Sequence, residues 1–421
     1  MAHSRVSQID LIQARVTEIP DGWSLCKVID ALNIRNNLRK PISQEVRETI
    51  VGDYPYYGPT KIQGYISEFE QDGTFALIGE DGDHFLKYST MPQTQLISGK
   101  CTVNNHAHIL ESSGKCDSEW FFNYFKHRDI TNFLSRQGAG RFKLNKATLE
   151  KLPLLVPPLP EQRKIAKILS TWDKAIATTE KLIDTSKQQK KALMQQLLTG
   201  KKRLVNPETS KAFEGEWEEV KLGDISTITR LAGAEYSDIW ETKENGEIIA
   251  LRGFNIGQNK LILRNLERID NQLSLKLSRS RLSKNDIVFP CVGSIGKACL
   301  ITEDGKFHIN QNIAKITPSQ NVIPLFLTFC LLSKRSEAQI LQYNTSSSQP
   351  NVLVGNLRKF KFNVPSTSKE QEKIATVLTA ADKEIEALEA KLAHFKQEKK
   401  ALMQQLLTGK RRVKVDEMEV A

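Results

Sequence analysis

The chain has 421 residues and carries 60 Lys and Arg against 49 Asp and Glu, a formal net charge of +11. Its 39% hydrophobic and 26% charged residues exclude a disordered or fibrous protein, and its length predicts two or three globular domains. The basic balance makes nucleic acid the first partner to consider, although charge alone does not establish it.

No stretch of the sequence predicts a membrane span or a secretory signal. The longest apolar run, Val322 to Leu332, has 11 residues, whereas a bilayer crossing takes about 20. The first residues, MAHSRVSQIDLIQARV, lack the apolar core of a signal peptide. We therefore expect a cytoplasmic protein whose six cysteines are reduced thiols.

The first part of the chain has a mixed α/β composition. The aromatic-rich stretch from Trp120 to Ser135 predicts a buried helix. His106 and His108 alternate, which places both on one face of a predicted strand. With Cys101 and Cys116 they lie within 16 residues, but no Cys-x-x-Cys pair accompanies them. We therefore predict no metal site, while a zinc role for the two histidines stays open.

A long amphipathic helix follows. Apolar positions from Ile165 to Leu197 recur in alternating steps of four and three, the heptad rhythm of a coiled-coil seam. Glu161 in PPLPEQ suits the positive end of the helix, and Gly200 is the expected stop. About 33 residues predict a rod of roughly 50 Å, longer than one turn of B-DNA at about 35 Å. Such a rod could place two DNA-binding domains on successive turns.

The next region is again mixed α/β. Strand composition occurs from Ile287 to Gly293 and from His308 to Ile316, with a turn-like EDGK at Glu303 to Lys306 between them. The apolar stretch from Pro324 to Ile340 predicts a buried helix with proline at its start.

The second long helix repeats the first. The block KKALMQQLLTGK occupies Lys190 to Lys201 and returns unchanged at Lys399 to Lys410, 209 residues later. At the same offset, EQRKIAKILSTWDK from Glu161 matches EQEKIATVLTAADK from Glu370. A period near 200 residues indicates a duplicated domain. Two matched stripes are most simply buried against each other as an antiparallel pair, although a helical hairpin that merely joins unrelated domains, or a dimerisation coil, is the alternative.

The predicted fold is therefore mixed α/β (α+β), with two globular recognition domains separated by two long antiparallel coiled-coil helices in a pseudo-twofold duplication. We predict a first recognition domain at 1–155, a central helical region at 156–205, a second recognition domain at 206–364 and a distal helical region at 365–421. The seam residues predicted to pair the helices and dock partners are Ile165, Leu169, Trp172, Ile176, Leu193, Leu197, Ile374, Leu378, Ile385, Leu388, Leu402 and Leu406.

The helix start PPLPEQ-x-x-I-A and the helix end K-x-x-L-M-Q-Q-L-L-T-G resemble those of the specificity subunit of type I restriction–modification systems. The resemblance covers essentially the whole chain, because YPYYGPTKIQGYI from Tyr54 and INQNIAKITP from Ile309 also look like recognition-domain motifs of that family. It implies a subunit that binds a bipartite, gapped double-stranded DNA target, one half per recognition domain. It further implies that the helices dock two modification (methyltransferase) subunits and that restriction (motor–nuclease) subunits join for cleavage. S-adenosylmethionine, ATP and Mg are then expected on the partner subunits, with no cofactor on this chain.

The motif content agrees with a chain that is not an enzyme. No [DN]PP[YFW] methyltransferase tetrapeptide occurs, and no glycine-rich segment forms a dinucleotide or Walker A loop. The segment DIWETK, with Asp238, Glu241 and Lys243, loosely resembles a nuclease carboxylate site, but its alternating charges favour a solvated surface. We predict no catalytic residues.

DNA contacts explain the polar residues of the two recognition domains better. Arg and Lys pair with guanine in the major groove, and Asn and Gln pair with adenine. The first domain offers Tyr56, Tyr57, Lys61, Asn104, Asn105, His106, Arg136 and Arg141. The second offers Arg252, Asn255, Arg279, Arg281, Ser294, Asn310, Gln311, Asn312, Gln349 and Asn351. Each residue taken singly is also a common turn or surface residue.

These observations lead to one hypothesis, a non-catalytic DNA-recognition subunit, and one alternative, a helical scaffold or adaptor with two protein-binding domains. The charge is uneven: the central helical region, 156–205, has a net charge of +7, whereas the first recognition domain is neutral and the second is +3. We expect base contacts to give discrimination, and the helix or the docked subunits to supply much of the affinity for phosphate.

Overall fold

The structure, a computed structural model, describes residues 8–137, 141–344 and 350–415. The chain divides into two compact units, one formed by Met1–Glu180 with Lys391–Ala421 and the other by Lys181–Ala390. Within the described residues, no helix combines the length and the apolar character that a bilayer crossing requires.

The first unit is built on a six-stranded sheet with a helical layer. Its elements are α1 (Gln8–Ala14), β1 (Ser24–Lys27), α2 (Val28–Ala31), β2 (Asn33–Ile34), α3 (Gln44–Thr49), β3 (Val51–Tyr57), β4 (Ile62–Ile66), β5 (Gln71–Gly79), β6 (Thr94–Val103), β7 (Ala107–Glu111), α4 (Ser118–Phe125), β8 (Ser135–Gln137), β9 (Arg141–Lys143), α5 (Lys146–Lys151), β10 (Pro153–Val156) and the first part of α6 (Leu159–Leu197). The sheet order is β2-β7-β5-β6-β3-β4, antiparallel except between β3 and β6.

Strand β5 shows why the first unit has two cores. Successive side chains of a strand point to opposite faces. Ala76 and Ile78 accordingly join Trp120 and other aromatic residues of α4 on one face. Phe75 and Leu77 join a second cluster with β6 and β7 on the other face. The sheet is therefore covered on both sides at this strand.

The second unit contains smaller sheets. Its elements are the rest of α6, β11 (Trp217–Lys221), β12 (Ser226–Arg230), α7 (Gly233–Ile239), β13 (Ile248–Leu251), β14 (Glu267–Ile269), α8 (Asn271–Lys276), β15 (Ile287–Pro290), β16 (Cys299–Leu300), β17 (Phe307–Ile309), β18 (Ile313–Pro318), α9 (Pro324–Leu331), α10 (Lys334–Tyr343), α11 (Val354–Leu357), β19 (Lys361–Pro365) and the first part of α12 (Ser368–Leu406), whose residues from Lys391 onward belong to the first unit. Sheet β12-β18-β15-β16 is antiparallel, and in β14-β13-β17 the second pair is parallel.

The duplication is visible in the connections to the long helices. In the first unit β1 pairs antiparallel with β10, which leads into α6. In the second unit β11 pairs antiparallel with β19, which leads into α12. Both long helices have 39 residues, about 58 Å at 1.5 Å per residue. They are longer than the heptad stripe because each begins before its first seam position.

The predicted antiparallel pairing of the long helices is confirmed within each unit. In the first unit Glu180 pairs with Lys396 at 2.7 Å and the Trp172 and Phe395 rings meet edge to face at 5.6 Å. In the second unit the equivalent pair joins Lys187 to Glu389 at 2.7 Å. Gly200 and Gly409 both follow their helices at φ +71°, the left-handed conformation expected of a helix stop.

Several predicted elements are wrong in detail. The stretch from Trp120 to Ser135 is helical only to Phe125, because the polar residues Lys126 to Asp129 interrupt its apolar surface. The predicted helix from Pro324 to Ile340 is two helices, since the Ser333 hydroxyl accepts a hydrogen bond from Ser336 N at 3.3 Å and caps α10. The single strand expected from His308 to Ile316 is divided between two sheets by a turn.

Candidate nucleic-acid interface

In the first unit, Asn104 joins two loops at one edge of the sheet. Its backbone N–H donates to Tyr57 O at 3.0 Å, and its side-chain amide donates to Gln63 Oε1 at 3.0 Å. Its Oδ1 accepts the backbone N–H of His106 at 2.8 Å, which closes the turn between β6 and β7. Asn104 itself is therefore almost buried, and it holds residues 57–63 beside residues 104–106.

This loop pair brings together most of the residues predicted for the first domain. Lys61, Asn105 and His106 are exposed there, and Tyr57 is partly buried beside them. Tyr56 is buried instead, where its hydroxyl accepts from Ile42 N at 2.9 Å and donates to Lys40 O at 3.1 Å. The backbones of Arg136 and Arg141 lie in the paired strands β8 and β9, and their side chains lie outside what the structure describes.

Two residues that the sequence did not single out belong to the same edge. Arg39 Nη1 donates to Asn105 O at 3.0 Å and to Glu80 Oε2 at 2.7 Å. Burial raises the pKa of Glu80, but hydrogen bonds from Arg39 and Lys143 outweigh it and hold the pKa below its usual range. Gln63, which contacts Asn104, is the other residue. Its place in the KIQGY motif beside a glycine was the signal available in the sequence.

The histidines do not share a strand face, so that prediction is wrong. His106 precedes β7 in an exposed turn, and its Nδ1 lies 3.2 Å from Asp81. His108 is buried within β7, and its Nε2 lies 2.7 Å from Leu144 O. Burial lowers the pKa of His108. Cys101 and Cys116 are buried free thiols, and across the described residues no group of three or more His, Cys, Asp or Glu could hold a metal ion.

In the second unit, four loop segments converge. Gly293 N donates to Pro350 O at 3.0 Å, and Cys291 N donates to Asn312 O at 2.8 Å. Asn310 N donates to Leu251 O at 3.2 Å. These bonds assemble the segments after β13, after β15, between β17 and β18, and around residue 351 into one loop cluster.

Most of the residues predicted for the second domain lie in this cluster: Arg252, Ser294, Asn310, Gln311, Asn312 and Asn351. The Arg252 guanidinium lies over the Phe254 ring at 4.4 Å, and Asn310 Nδ2 donates to Glu267 at 3.3 Å. Asn255 is in the cluster but has no exposed surface, because its amide donates to Ile262 O and Arg264 O.

Arg279 and Arg281 lie elsewhere in the second unit. Arg279 is exposed, and its carbonyl accepts from Thr229. The Arg281 guanidinium donates to Asn271 Oδ1 at 2.7 Å and to Gly305 O at 3.1 Å, so it ties α8 to the turn before β17. Gln349 lies outside the described residues. Arg230 was missed: its guanidinium donates to Gln311 O and to Asn312 Oδ1, which anchors the turn that presents both residues.

The start and end signatures of the repeats pair with each other across the copies. Glu161, in the first start signature, accepts two hydrogen bonds at 2.8 Å from Arg412, which follows the second end signature. Glu370 and Arg203 make the same bidentate pair, at 2.6 and 2.8 Å. Both carboxylates are nearly buried, so a planar guanidinium is the partner that satisfies them best.

The glutamine next to each of these glutamates has a matched role. Gln162 Oε1 accepts the backbone N–H of Asp117 at 2.9 Å, at the start of α4. Gln371 Oε1 accepts the N–H of Ile323 at 2.8 Å, at the start of α9. The Glu-Gln pair therefore attaches each long helix both to the other repeat and to the buried helix of its own unit.

A family model described as the type I restriction modification DNA specificity domain matches the chain twice, over residues 20–187 and 214–396. These two matches cover most of the sequence and coincide with the duplication. The chain belongs to this DNA specificity family. Its members supply the DNA target specificity of type I restriction–modification systems and are not catalytic, so the resemblance found in the sequence is confirmed.

Two relatives extend the match over the length of this specificity chain. The type I restriction enzyme MjaVIII specificity subunit of Methanocaldococcus jannaschii is 27% identical over 412 residues, which cover 94% of each chain. The putative specificity subunit S.HindORF215P of Haemophilus influenzae is 27% identical over 355 residues, or 83% of this chain and 85% of the relative.

Solved structures support the same fold. The S subunit of the type I restriction–modification system of M. genitalium aligns with a TM-score of 0.61 at 14% identity, covering 93% of this chain and 96% of that one. A chain from a structure describing complex assembly and conformational transition of the type I system aligns with a TM-score of 0.53 at 13% identity, covering 94% of this chain and all of that one.

The seam residues predicted for this specificity chain all lie on the inner face of the long helices. Every one of the 12 is buried or partly buried. Ile165, Leu169 and Leu406 join the core of the first unit, and Leu197 and Ile374 join that of the second.

Proposed function

We propose that this chain binds a bipartite, gapped DNA target and contacts one half-site with each of its two recognition domains. The observation that carries the proposal is a repeated framework that bears different loops. Both units contain the same glutamate–arginine ion pair, and in both the neighbouring glutamine accepts a backbone N–H at the start of the buried helix. Their loop clusters differ, with Lys61, Asn105 and His106 in the first unit and Arg252, Gln311 and Asn312 in the second. Equivalent frameworks with unlike contact residues suit a protein that recognises two unlike half-sites.

The exposed residues of the long helices support docking of partner subunits. The copies of KKALMQQLLTGK are identical, and the same positions are exposed in both. Lys191, Gln195 and Gln196 correspond in this way to Lys400, Gln404 and Gln405. Pairing of two helices does not require matched outward residues, whereas a repeated partner does. We propose that modification subunits dock there and that restriction subunits join the assembly, with S-adenosylmethionine, ATP and Mg carried by the partners.

Selection from random-sequence DNA tests this function. The chain is co-purified with its modification subunit, incubated with a random duplex library, and the retained DNA is sequenced. We expect enrichment of a split motif with a fixed gap, and no methyl transfer by the chain alone. Enrichment of one contiguous motif would contradict two half-sites. Absence of any enrichment, with the partner still bound, would favour the helical scaffold or adaptor.

A further inference from the structure

A pocket lies beside the repeated block of the second long helix, within the first unit. Its volume is about 560 Å³. Tyr124 of α4, Ile176 of α6, Met403 of α12, and Leu407, which directly follows α12, give it an apolar lining. Lys126 and Arg128, which follow α4, also line it. It is thus formed between the end of the buried helix and the KKALMQQLLTGK block.

The second unit has an equivalent pocket of about 640 Å³. Met194 and Leu198 line it, and they lie 209 residues before Met403 and Leu407. Cys330 and Leu332, at the end of α9, take the place of the α4 residues. Repeated residues shared by the two linings are the pairs Lys187 and Lys396, Lys190 and Lys399, Lys191 and Lys400, Met194 and Met403, Gln195 and Gln404, Leu198 and Leu407, and Thr199 and Thr408.

Both pockets have an excess of positive charge. Asp173 is the acidic residue lining the first pocket, and it is shared by Lys126 and Lys399. Glu337 is the acidic residue lining the second, against six Lys and Arg side chains. In the part of the chain that the structure describes, Lys400 and Lys191 are exposed and form no ion pair. These two equivalent lysines are free to meet an anion.

We propose that each pocket receives one acidic segment of a modification subunit, with an apolar side chain inserted between the methionine and the buried helix and carboxylates facing the lysines. The proposal rests on the docking of modification subunits proposed above and names the site and the chemistry of that contact. Because the two pockets share the same repeated residues, they take the same segment from two copies of one partner.

The lining favours a protein segment over a DNA backbone. Phosphate contacts use exposed cations and leave a wet, polar interface. Here Lys and Arg side chains share each lining with apolar residues that include a methionine, and methionine adapts to inserted side chains at protein interfaces. The apolar side chain of an acidic segment would contact the apolar lining residues, and its carboxylates would pair with the lysines. Carboxylates placed against Lys191 and Lys400 would also orient the partner during association.

Charge reversal at the two equivalent lysines tests the proposal. The full chain carrying Lys400→Glu, Lys191→Glu or both is co-expressed with its modification subunit, and bound copies are counted by native mass spectrometry. We expect each single variant to weaken docking at its own pocket at least about tenfold, so that one copy is lost, and the double variant to lose both. Lys400→Arg and Lys191→Arg should retain both copies.

Lys174→Glu and Lys383→Glu are matched controls, because these two lysines are also 209 residues apart, exposed, and outside both pockets. If the variant with both Lys191→Glu and Lys400→Glu still bound two copies with undiminished affinity, the pocket assignment would be wrong, although the docking of modification subunits would stand. Unchanged docking with weaker DNA binding to every sequence would show that the lysines contact phosphate instead, which also overturns it. A wild-type chain that binds no modification subunit would refute the docking function itself, and the pocket assignment with it.

Discussion

At the scale of single residues, Glu161 shows how the repeat signatures hold a unit together. Its carboxylate is nearly buried and receives Arg412 on both oxygens and the Trp23 indole N–H at 2.9 Å. The Arg412 guanidinium also lies 5.6 Å from the centre of the Trp23 ring. A buried carboxylate with fewer donors would keep its desolvation cost without compensation. The glutamate of the start signature therefore needs the arginine that follows the end signature.

Arg412→Ala should destabilise the first unit by about 3–5 kcal/mol, because it leaves the Glu161 carboxylate buried with the indole as its remaining side-chain donor. Arg203→Ala should have a similar effect on the second unit through Glu370. Urea unfolding of the full chain, followed by tryptophan fluorescence, measures both. Arg411→Ala, at the exposed neighbouring position, should change stability by less than about 0.5 kcal/mol. Equal effects of Arg411→Ala and Arg412→Ala would refute this role.

At the scale of elements, the glycines that end the long helices are equivalent in conformation but not in surroundings. Gly200 and Gly409 both have φ +71°. A Cβ on Gly409 would lie 2.2 Å from Cγ of Pro20, whereas one on Gly200 would lie 3.1 Å from the Trp217 ring. The proline ring is stiff and cannot yield by rotation. Gly409 at the end of the second long helix is therefore more tightly packed than Gly200 at the end of the first.

Gly409→Ala should consequently cost more stability than Gly200→Ala. Both changes place alanine in the left-handed region, at about 1–2 kcal/mol, and the overlap with Pro20 should add about 1–3 kcal/mol at position 409. Gly22→Ala is the control, since it has φ +77° with open space around it and should show the conformational cost alone. The midpoints of thermal unfolding of the three variants give the order. A midpoint for Gly409→Ala equal to that for Gly22→Ala would contradict the predicted overlap.

The long helices could be predicted from sequence because their signal is a sustained heptad stripe bounded by identical blocks. The helix ends at Phe125 and Ser333 could not be predicted from sequence. Aromatic or apolar residues continue close to both points, and local polar groups end the helices there. The roles of the loop residues were harder to predict. Asn104 and Asn255 have the residue type of a base reader, yet their amides hold turns, a use that favours the same side chain. Arg230 belongs to its cluster through long-range hydrogen bonds to Gln311 and Asn312, which no local pattern encodes.

At the scale of the whole molecule, most of the net charge lies outside the two predicted recognition domains. The central helical region, 156–205, contributes +7 of the +11 net charge, and the first recognition domain contributes none. Contacts to phosphate position a protein on DNA, while contacts to base edges determine the sequence. A neutral first domain and a second domain of +3, joined by a helical region of +7, are consistent with that division. The base preference of one unit should then be independent of the other.

Asn105→Ala in the first unit and Gln311→Ala in the second test that independence. Asn105 is exposed and Gln311 partly buried in their loop clusters, and each single change should relax one position of its own half-site by about 1–3 kcal/mol without altering the other half. Because the changes lie in separate units, their effects on binding should add within about 0.5 kcal/mol in the double variant. The measurement is competition binding of the complex with its modification subunit to duplexes altered in one half at a time. Equal weakening on all duplexes would identify phosphate contacts at these positions, and non-additive losses would show that the two half-sites are not recognised separately.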